Sequence, residues 1–171
     1  MSTPPGERRI LDTGFSEDDG RADPGLAAAL AAYDRDPQRY LEVLATLQTA
    51  RLLVPVVAML GEVEYDEQGL AHDKTSDMAS VLLRGNDGRL ALLAFTSLAT
   101  LQAWDPEARP VPVAAMLAAQ SAVQDGAEAL LVDVAGPVRL VLEGQDLHAV
   151  AGGWQIAQLA GRPTWIRPSE G

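Results

Sequence analysis

The sequence predicts a single α+β domain in which a mixed β-sheet of about five strands is flanked by helices. Apolar runs at 52–60 and 129–134 have the length and composition of buried strands. The turn sequence at 86–88, Asn-Asp-Gly, joins two further apolar segments as a β-hairpin. The predicted order, ααβββα(β)αββα, mixes neighbouring strands with helices, which is typical of α+β proteins rather than of a regular βαβ repeat.

The length and composition of the chain are sufficient for one hydrophobic core. The chain has 171 residues, of which 47% are hydrophobic but only 5% aromatic, so Ala, Leu and Val must fill the interior. Residues 1–22 are rich in Pro, Gly and acidic residues, and we predict a disordered N-terminal arm there. The domain is expected over 23–151, followed by a C-terminal extension over 152–171 that is either a hairpin packed on the domain or a partner-facing tail.

Helix starts are marked by Asp23-Pro24 and Asp36-Pro37, because Asp is a good N-cap and Pro suits the first helical turn. These signals predict helices over 24–33 and from 37 to about 50. Further helices are predicted over 97–104, 113–125 and 145–151. In the helix over 113–125 we expect the larger side chains to face inward, namely Met116, Leu117, Gln120 and Val123.

The strand predictions rest on runs of apolar residues and on alternation of apolar and polar residues. The run 52–60 predicts a strand buried on both faces, although Pro55 indicates an edge position or a bulge. The two strands of the hairpin are predicted over 77–84 and 89–95. A further strand is predicted over 138–142, where side chains that face one side alternate with side chains that face the other. Residues 109–113 contain two prolines and predict a short edge strand. The acidic segment 61–75 is either a loop or a poorly paired hairpin.

The charge and cysteine content exclude several classes of function. The net charge of −11 disfavours nucleic acids and anionic membranes, because binding to both depends on Lys and Arg. The absence of cysteine excludes disulfides, thiol nucleophiles and thiolate zinc sites, and fits a reducing compartment. No apolar signal segment is visible at the N-terminus, so we predict a cytoplasmic protein.

Catalytic groups are sparse. The chain has two histidines, His72 and His148, and the sequence around Ser97 is not Gly-x-Ser-x-Gly, so Ser97 is interpreted as a helix cap. His148 is expected at the surface of the last helix. Acidic residues around His72 could hold a divalent cation, but their spacing matches no calcium loop and solvated charge is the preferred interpretation. These residues are Glu62, Glu64, Asp66, Glu67 and Asp73. We predict no catalytic residue and no cofactor.

Two kinds of binding site remain open. Phe95, Thr96 and Ser97 lie where a strand passes into a helix, and free N–H groups there could hold a small anion, with Asp133 at a second strand end nearby. Trp154 and Trp165 in the C-terminal extension could instead anchor a protein partner, as could Phe15 in the arm.

Several short segments occur in an order and spacing that resemble the SseB family, in particular its N-terminal domain as found in actinobacteria. They are Lys74-Thr-Ser-Asp-Met78, Asp87-Gly88-Arg89, Phe95-Thr96-Ser97, Trp104-Asp105-Pro106, Arg109-Pro-Val-Pro-Val113 and Asp133-Val-Ala-Gly-Pro137. The resemblance covers about 24–151. It implies a small cytoplasmic α+β protein linked to serine sensitivity, without an established enzymatic activity or agreed active site. Asp133-Val134 departs from the Asp/Asn-Pro step expected there.

Three functions are therefore compared. The first is a non-enzymatic interaction or regulatory module that binds a protein partner or self-associates. The alternative is a domain that binds a small ligand, such as an amino acid or another small anion, near Phe95–Ser97 and Asp133. The third is an enzyme that uses the acidic segment and a divalent metal.

Overall fold

The computed structural model describes residues 15–60, 63–65, 71–73 and 76–169. Its helices are α1 (Pro24–Arg35), α2 (Tyr40–Leu47), α3 (Leu98–Trp104), α4 (Ala115–Gln124) and α5 (Gly144–Ala151), with a 3₁₀ turn at Pro37–Arg39 before α2. Its strands are β1 (Arg51–Leu60), β2 (Val63–Tyr65), β3 (Ala71–Asp73), β4 (Ser76–Ser80), β5 (Leu82–Arg84), β6 (Leu90–Ala94), β7 (Arg109–Ala114), β8 (Ala129–Val132), β9 (Leu140–Glu143), β10 (Gln155–Leu159) and β11 (Arg162–Ile166).

The predicted α+β class is confirmed, with both parallel and antiparallel pairs. A four-stranded sheet has the order β5-β6-β8-β9, in which β6 and β8 are parallel and the other pairs antiparallel. A three-stranded antiparallel sheet has the order β4-β1-β7. One bridge, between Leu53 and Phe95, joins the two sheets. The strands thus form several sheets rather than the one sheet of about five strands that the sequence predicted.

The strand β1 is central and changes its neighbours halfway along. Its first half pairs with β7, whereas its second half pairs with β4, and Pro55 lies just before the change. The N–H of Leu53 points to Phe95, and residues two apart in a strand direct their backbone nitrogens to the same side. The nitrogen of Pro55, which carries no hydrogen, therefore faces the gap between the Phe95 bridge and β4. Pro55 therefore breaks no ladder bond, which explains a proline in a central strand.

The acidic segment contains a hairpin, one of the two predicted alternatives. In β1 and β4 Leu60 is opposite Ser76, and in β2 and β3 Val63 is opposite Asp73, so the register is unchanged from one pair to the next. The pairs β1–β4 and β2–β3 therefore share one antiparallel register. Val81 then separates β4 from β5, and the chain leaves β1 to pair with β6.

Two hydrophobic clusters cover the two faces of the four-stranded sheet. Leu92, Ala94 and Leu130 belong to the larger cluster, formed with α1, α2, α4 and α5. Leu93 and Phe95 face the smaller cluster, which Leu101 and other side chains of α3 complete. Period-2 alternation of fully buried residues on both faces makes β6 a central strand, as predicted.

The orientation predicted for α4 is wrong. The face turned to the core carries alanines, and Met116, Leu117 and Val123 are exposed. Gln120 is half-buried and donates to the carbonyl of Ala151 at 2.9 Å. Small side chains let α4 approach both the sheet and α5 closely, and that packing overrides the preference of the larger side chains for burial. The buried residues are Ala115, Ala118, Ala119 and Ala122.

Tyr40 connects α2 to the edge of the sheet, where its hydroxyl donates to the carbonyl of Val141 at 3.1 Å. Burial, followed by the nearby carboxylate of Asp146, raises the pKa of Tyr40 well above its ordinary value of about 10. The neutral phenol is thus favoured by folding. The stability from this shift is fully present below the unfolded pKa and is lost as the pH rises through the higher folded pKa.

A tyrosinate titration should detect this difference. We expect the absorbance of Tyr40 to change at a higher pH than that of an exposed tyrosine, and the delayed component to disappear in Tyr40→Phe. A wild-type titration in which every tyrosine ionises near pH ~10 would contradict this prediction.

Candidate functional site

The predicted site residues at the two strand ends do come together. Because β6 and β8 are parallel and adjacent, their carboxyl ends lie at the same edge of the sheet. Phe95 and Thr96 follow β6, and Asp133 follows β8 directly. The N–H of Asp133 donates to the carbonyl of Ala94 at 3.0 Å, which fixes the two ends relative to each other.

The carboxylate of Asp133 is the centre of this arrangement, and the residue is only 3% exposed. Its Oδ1 accepts the N–H of Thr96 at 2.8 Å and the Thr100 hydroxyl at 2.7 Å, and its Oδ2 accepts the Thr96 hydroxyl at 2.6 Å. The backbone is left-handed at φ 55°, a conformation that Asp tolerates better than most residues. Three donors thus compensate for the burial of the carboxylate.

A Cβ at Gly136 would lie 3.0 Å from the Cβ of Asp133 and 3.3 Å from the Thr100 methyl group. Gly136 therefore leaves room for the turn after β8 to close over this network, and its N–H donates to the Asp133 carbonyl at 3.0 Å. The turn over 133–136 closes without a proline at position 134.

Three of the donors at the start of α3 already have acceptors within the protein. The N–H of Thr100 bonds to the Ser97 hydroxyl at 3.1 Å, so Ser97 is the N-cap, and the N–H of Ser97 is 3.4 Å from the Thr100 hydroxyl. The N–H of Leu98 donates to the carbonyl of Gly20 at 2.7 Å. Asp133 and Gly20 therefore accept from Thr96 and Leu98, two of the N–H groups that were predicted to be free to hold an external anion.

Phe95 is a core residue. It is fully buried, its ring stacks on Trp104 with centroids 5.5 Å apart, and its backbone forms both hydrogen bonds of the Leu53 bridge, at 2.7 and 2.8 Å. No part of Phe95 is accessible to a ligand. Its role is to join the two sheets over the smaller hydrophobic cluster.

Residues 15–22, which the sequence assigned to the disordered arm, lie against the domain instead. Arg51 bonds to both carboxylate oxygens of Asp18 and to the carbonyls of Arg21 and Thr96, the last at 2.9 Å. The two charged side chains are only 10% and 15% exposed. Phe15 is half-buried. Residues 1–14 of the predicted arm lie outside the described residues.

The C-terminal extension is a hairpin of β10 and β11 that packs on the domain, one of the two predicted alternatives. Trp165 is half-buried, and its indole N–H donates to Asp146 at 2.8 Å. The carbonyl of Trp154 accepts from the side-chain amide of Gln48, whose oxygen accepts the N–H of Ile156 at 3.4 Å. Arg167 lies 4.8 Å from the Trp154 ring centroid. The Trp165 indole and the Trp154 backbone carbonyl therefore hold the hairpin on the domain.

A groove that no sequence motif predicted lies between α2, α4 and this hairpin. It has a volume of about 400 Å³, and its lining includes Gln48, Met116, Val150, Gln155 and Ile156. Met116 lines this groove and, with the exposed side chains of Leu117 and Val123, forms the surface that we name the α4 face. The signal for this region is the run 110–124, fifteen residues without a charge in a chain of net charge −11.

The residues considered for a metal site are only partly described. The side chains of Glu62, Glu64, Asp66, Glu67, His72 and Asp73 lie outside the described residues. The described part contains no group of three or more His, Asp or Glu residues placed to hold a metal ion. His148 is exposed on α5, as predicted. In the same part of the chain, no helix has the length and apolarity that a membrane span requires.

Fold and site together define an α+β domain whose buried polar centre, around Asp133, joins two strand ends to a helix start. The family model for the SseB protein N-terminal domain matches residues 26–149, and the chain belongs to the SseB family. The match includes every strand and helix from α2 to β9. Comparisons with curated proteins and with solved structures gave no significant match. The actinobacterial type stays a prediction.

Proposed function

We propose that this SseB-family domain is a non-enzymatic protein-interaction or regulatory module of the cytoplasm, linked to serine sensitivity, and that its partner binds the α4 face. The observation that carries the proposal is the orientation of α4, which buries alanines and exposes larger apolar side chains. Leu117 is 45% exposed. Placing Met, Leu and Val in water is unfavourable by the hydrophobic effect, and a partner that covers them removes this cost.

The chemistry of the surface narrows the kind of partner. The α4 face has no charge, and the adjoining groove is lined by Met116, Ile156 and neutral polar side chains. The chain as a whole carries a net charge of −11. An apolar side chain that enters the groove, on a segment flanked by basic residues, would match both features, since charge around an apolar contact governs the rate and specificity of association.

A photo-crosslinking amino acid at position 117 tests this proposal in cells that contain the native partner. We expect one discrete crosslinked species from position 117 and none from the control position, Ala103, which is exposed on α3. Leu117→Lys should weaken capture of that species by about tenfold or more, because it places a charge in an apolar contact. Since Leu117 is exposed, we expect its substitution to change the unfolding free energy by no more than about 0.5 kcal/mol.

Identical crosslinked species from both positions, or none from position 117, would contradict the proposal. So would full capture by the Leu117→Lys variant, whose lysine lies in the middle of the proposed contact.

The alternative function, binding of a small ligand, is now favoured at the groove rather than at Phe95–Ser97. A volume of about 400 Å³ falls within the range of small-molecule sites, and the exposed residue Gln155 contributes to the lining. A ligand present at one hundred times its dissociation constant should stabilise the protein by about 2.7 kcal/mol. A thermal-shift screen of amino acids that gives no shift would remove this alternative.

A further inference from the structure

The outer edges of the sheets differ in how well they are protected against pairing with another strand. An open edge presents unpaired N–H and C=O groups, and proteins usually block such edges. On β7, Pro110 and Pro112 are opposite Pro55 and Leu53, and the N–H of Leu53 points away from β7. The backbone nitrogens of both prolines therefore face outward, where they offer no donor.

The C-terminal hairpin is blocked in the same way. Its two-residue turn, Ala160-Gly161, makes Leu159 and Arg162 a hydrogen-bonded pair, so the nitrogen of Pro163 faces outward on β11. On β10 the outward N–H of Ile156 is held by Gln48. On β9 the carbonyl of Val141 is held by the Tyr40 hydroxyl. Each of these edges has a proline or a side chain that occupies it.

The outer edge of β5 has neither feature in the part of the chain that the structure describes. The bonds from Leu93 to the Val81 carbonyl and from Gly85 to the Arg89 carbonyl show which groups of β5 face β6. By alternation, the N–H and C=O groups of Leu82 and Arg84 face outward. All three residues of β5 are exposed, with Leu82 at 38% and Leu83 at 41%.

We infer that β5 is a self-association edge, at which it pairs antiparallel with β5 of a second copy of this chain. We infer a second copy as the partner because two β5 strands can pair with each other around a two-fold axis at Leu83. With Leu83 opposite Leu83 of the second copy, Leu82 is opposite Arg84 of the second copy and the two residues exchange hydrogen bonds. The two arginines are then not opposite each other, and four backbone bonds surround one apolar contact.

Charge sets the strength and the salt dependence of this association. Two copies of net charge −11 repel each other, and three residues of β5 bury less area than a standard interface. We expect a dissociation constant of about 10 µM to 1 mM. Because salt screens repulsion between copies, the dimer should become stronger between about 0.05 and 0.5 M NaCl, whereas a basic partner would bind more weakly. This inference is independent of the α4 face.

Sedimentation of the full chain over a range of concentrations tests the inference with two variants. Leu82→Pro removes an outward N–H and leaves the bonds to β6 intact, and Leu83→Lys places like charges opposite each other. Each should raise the dissociation constant by at least about tenfold. The matched control is Leu117→Lys on α4, which has the same charge change at a similar exposure and should dimerise like the wild type.

A mixture of Leu83→Lys and Leu83→Glu chains should restore the dimer, because opposite charges then meet at its centre. That result would also exclude misfolding of the variants as the cause of their dissociation. The inference is overturned if the wild type stays monomeric up to about 1 mM in high salt. It is equally overturned if Leu117→Lys abolishes association while Leu83→Lys retains it.

Discussion

Asp133→Ala should lower the free energy of unfolding by about 3–5 kcal/mol, which is a large part of the stability of a domain of this size. The substitution leaves the N–H of Thr96 and the hydroxyls of Thr96 and Thr100 without their common acceptor. Each lost bond to a charged acceptor contributes about 1.5–3 kcal/mol, although the hydroxyls can turn to other acceptors. Alanine is also strained at φ 55°.

Urea unfolding of three variants separates these causes. Asp133→Asn keeps the shape and tolerates the left-handed backbone, but its amide NH₂ meets a donor, so we expect a loss of about 1–3 kcal/mol. Asp34→Asn on the exposed side of α1 is the control and should change stability by no more than about 0.5 kcal/mol. If Asp133→Ala were as stable as the control, the carboxylate would have no structural role, and its use in a binding site would need to be reconsidered.

Phe95→Ala should cost about 3–5 kcal/mol, the range observed when a buried phenylalanine is truncated in a core. The ring packs against Trp104, and both residues belong to the smaller cluster beneath α3. Loss of the ring leaves a cavity at the place where the two sheets are joined. We therefore expect the Trp104 environment and the global unfolding transition to change together.

Tryptophan fluorescence and far-UV circular dichroism, both followed through urea unfolding, measure this effect. The control is Leu117→Ala, which removes a comparable apolar group from an exposed position and should alter stability far less. A loss below about 1 kcal/mol in Phe95→Ala would show that the cluster can collapse around the missing ring. The partner binding proposed for the α4 face should be unaffected by Phe95→Ala as long as the protein stays folded.

Local signals predicted much of the fold because they act over a few residues. Asp23-Pro24 starts a helix, Ser97 caps one, and Asn86-Asp87-Gly88 turns a hairpin, all through bonds within four residues. For the helix over 113–125, the prediction of a helix was right but the predicted buried face was wrong. Its apolar residues surround the helix, and which of them are buried depends on how closely α5 and the sheet approach.

The contacts within the site also depend on residues that are distant in sequence. The sequence placed Thr96 and Asp133 near each other through the ends of two strands, and the structure brings them together. It did not show that Gly20, far away in sequence, accepts from Leu98, or that Asp133 accepts from the residues that were expected to bind an anion. Such pairings are long-range and involve residues that carry no motif, so composition and spacing do not reveal them.

The contact between Arg51 and Asp18 bears on where the folding unit begins and ends. The family match starts at residue 26, after the carboxylate that neutralises Arg51 and after the carbonyl of Gly20 that receives the first N–H of α3. It ends at 149, before the hairpin that Gln48 and Asp146 hold. A chain trimmed to those limits would keep the family's recognisable residues but leave a nearly buried guanidinium without its counter-ion. The segment that matches the family model is thus shorter than the segment needed to pair the charge of Arg51 within the domain.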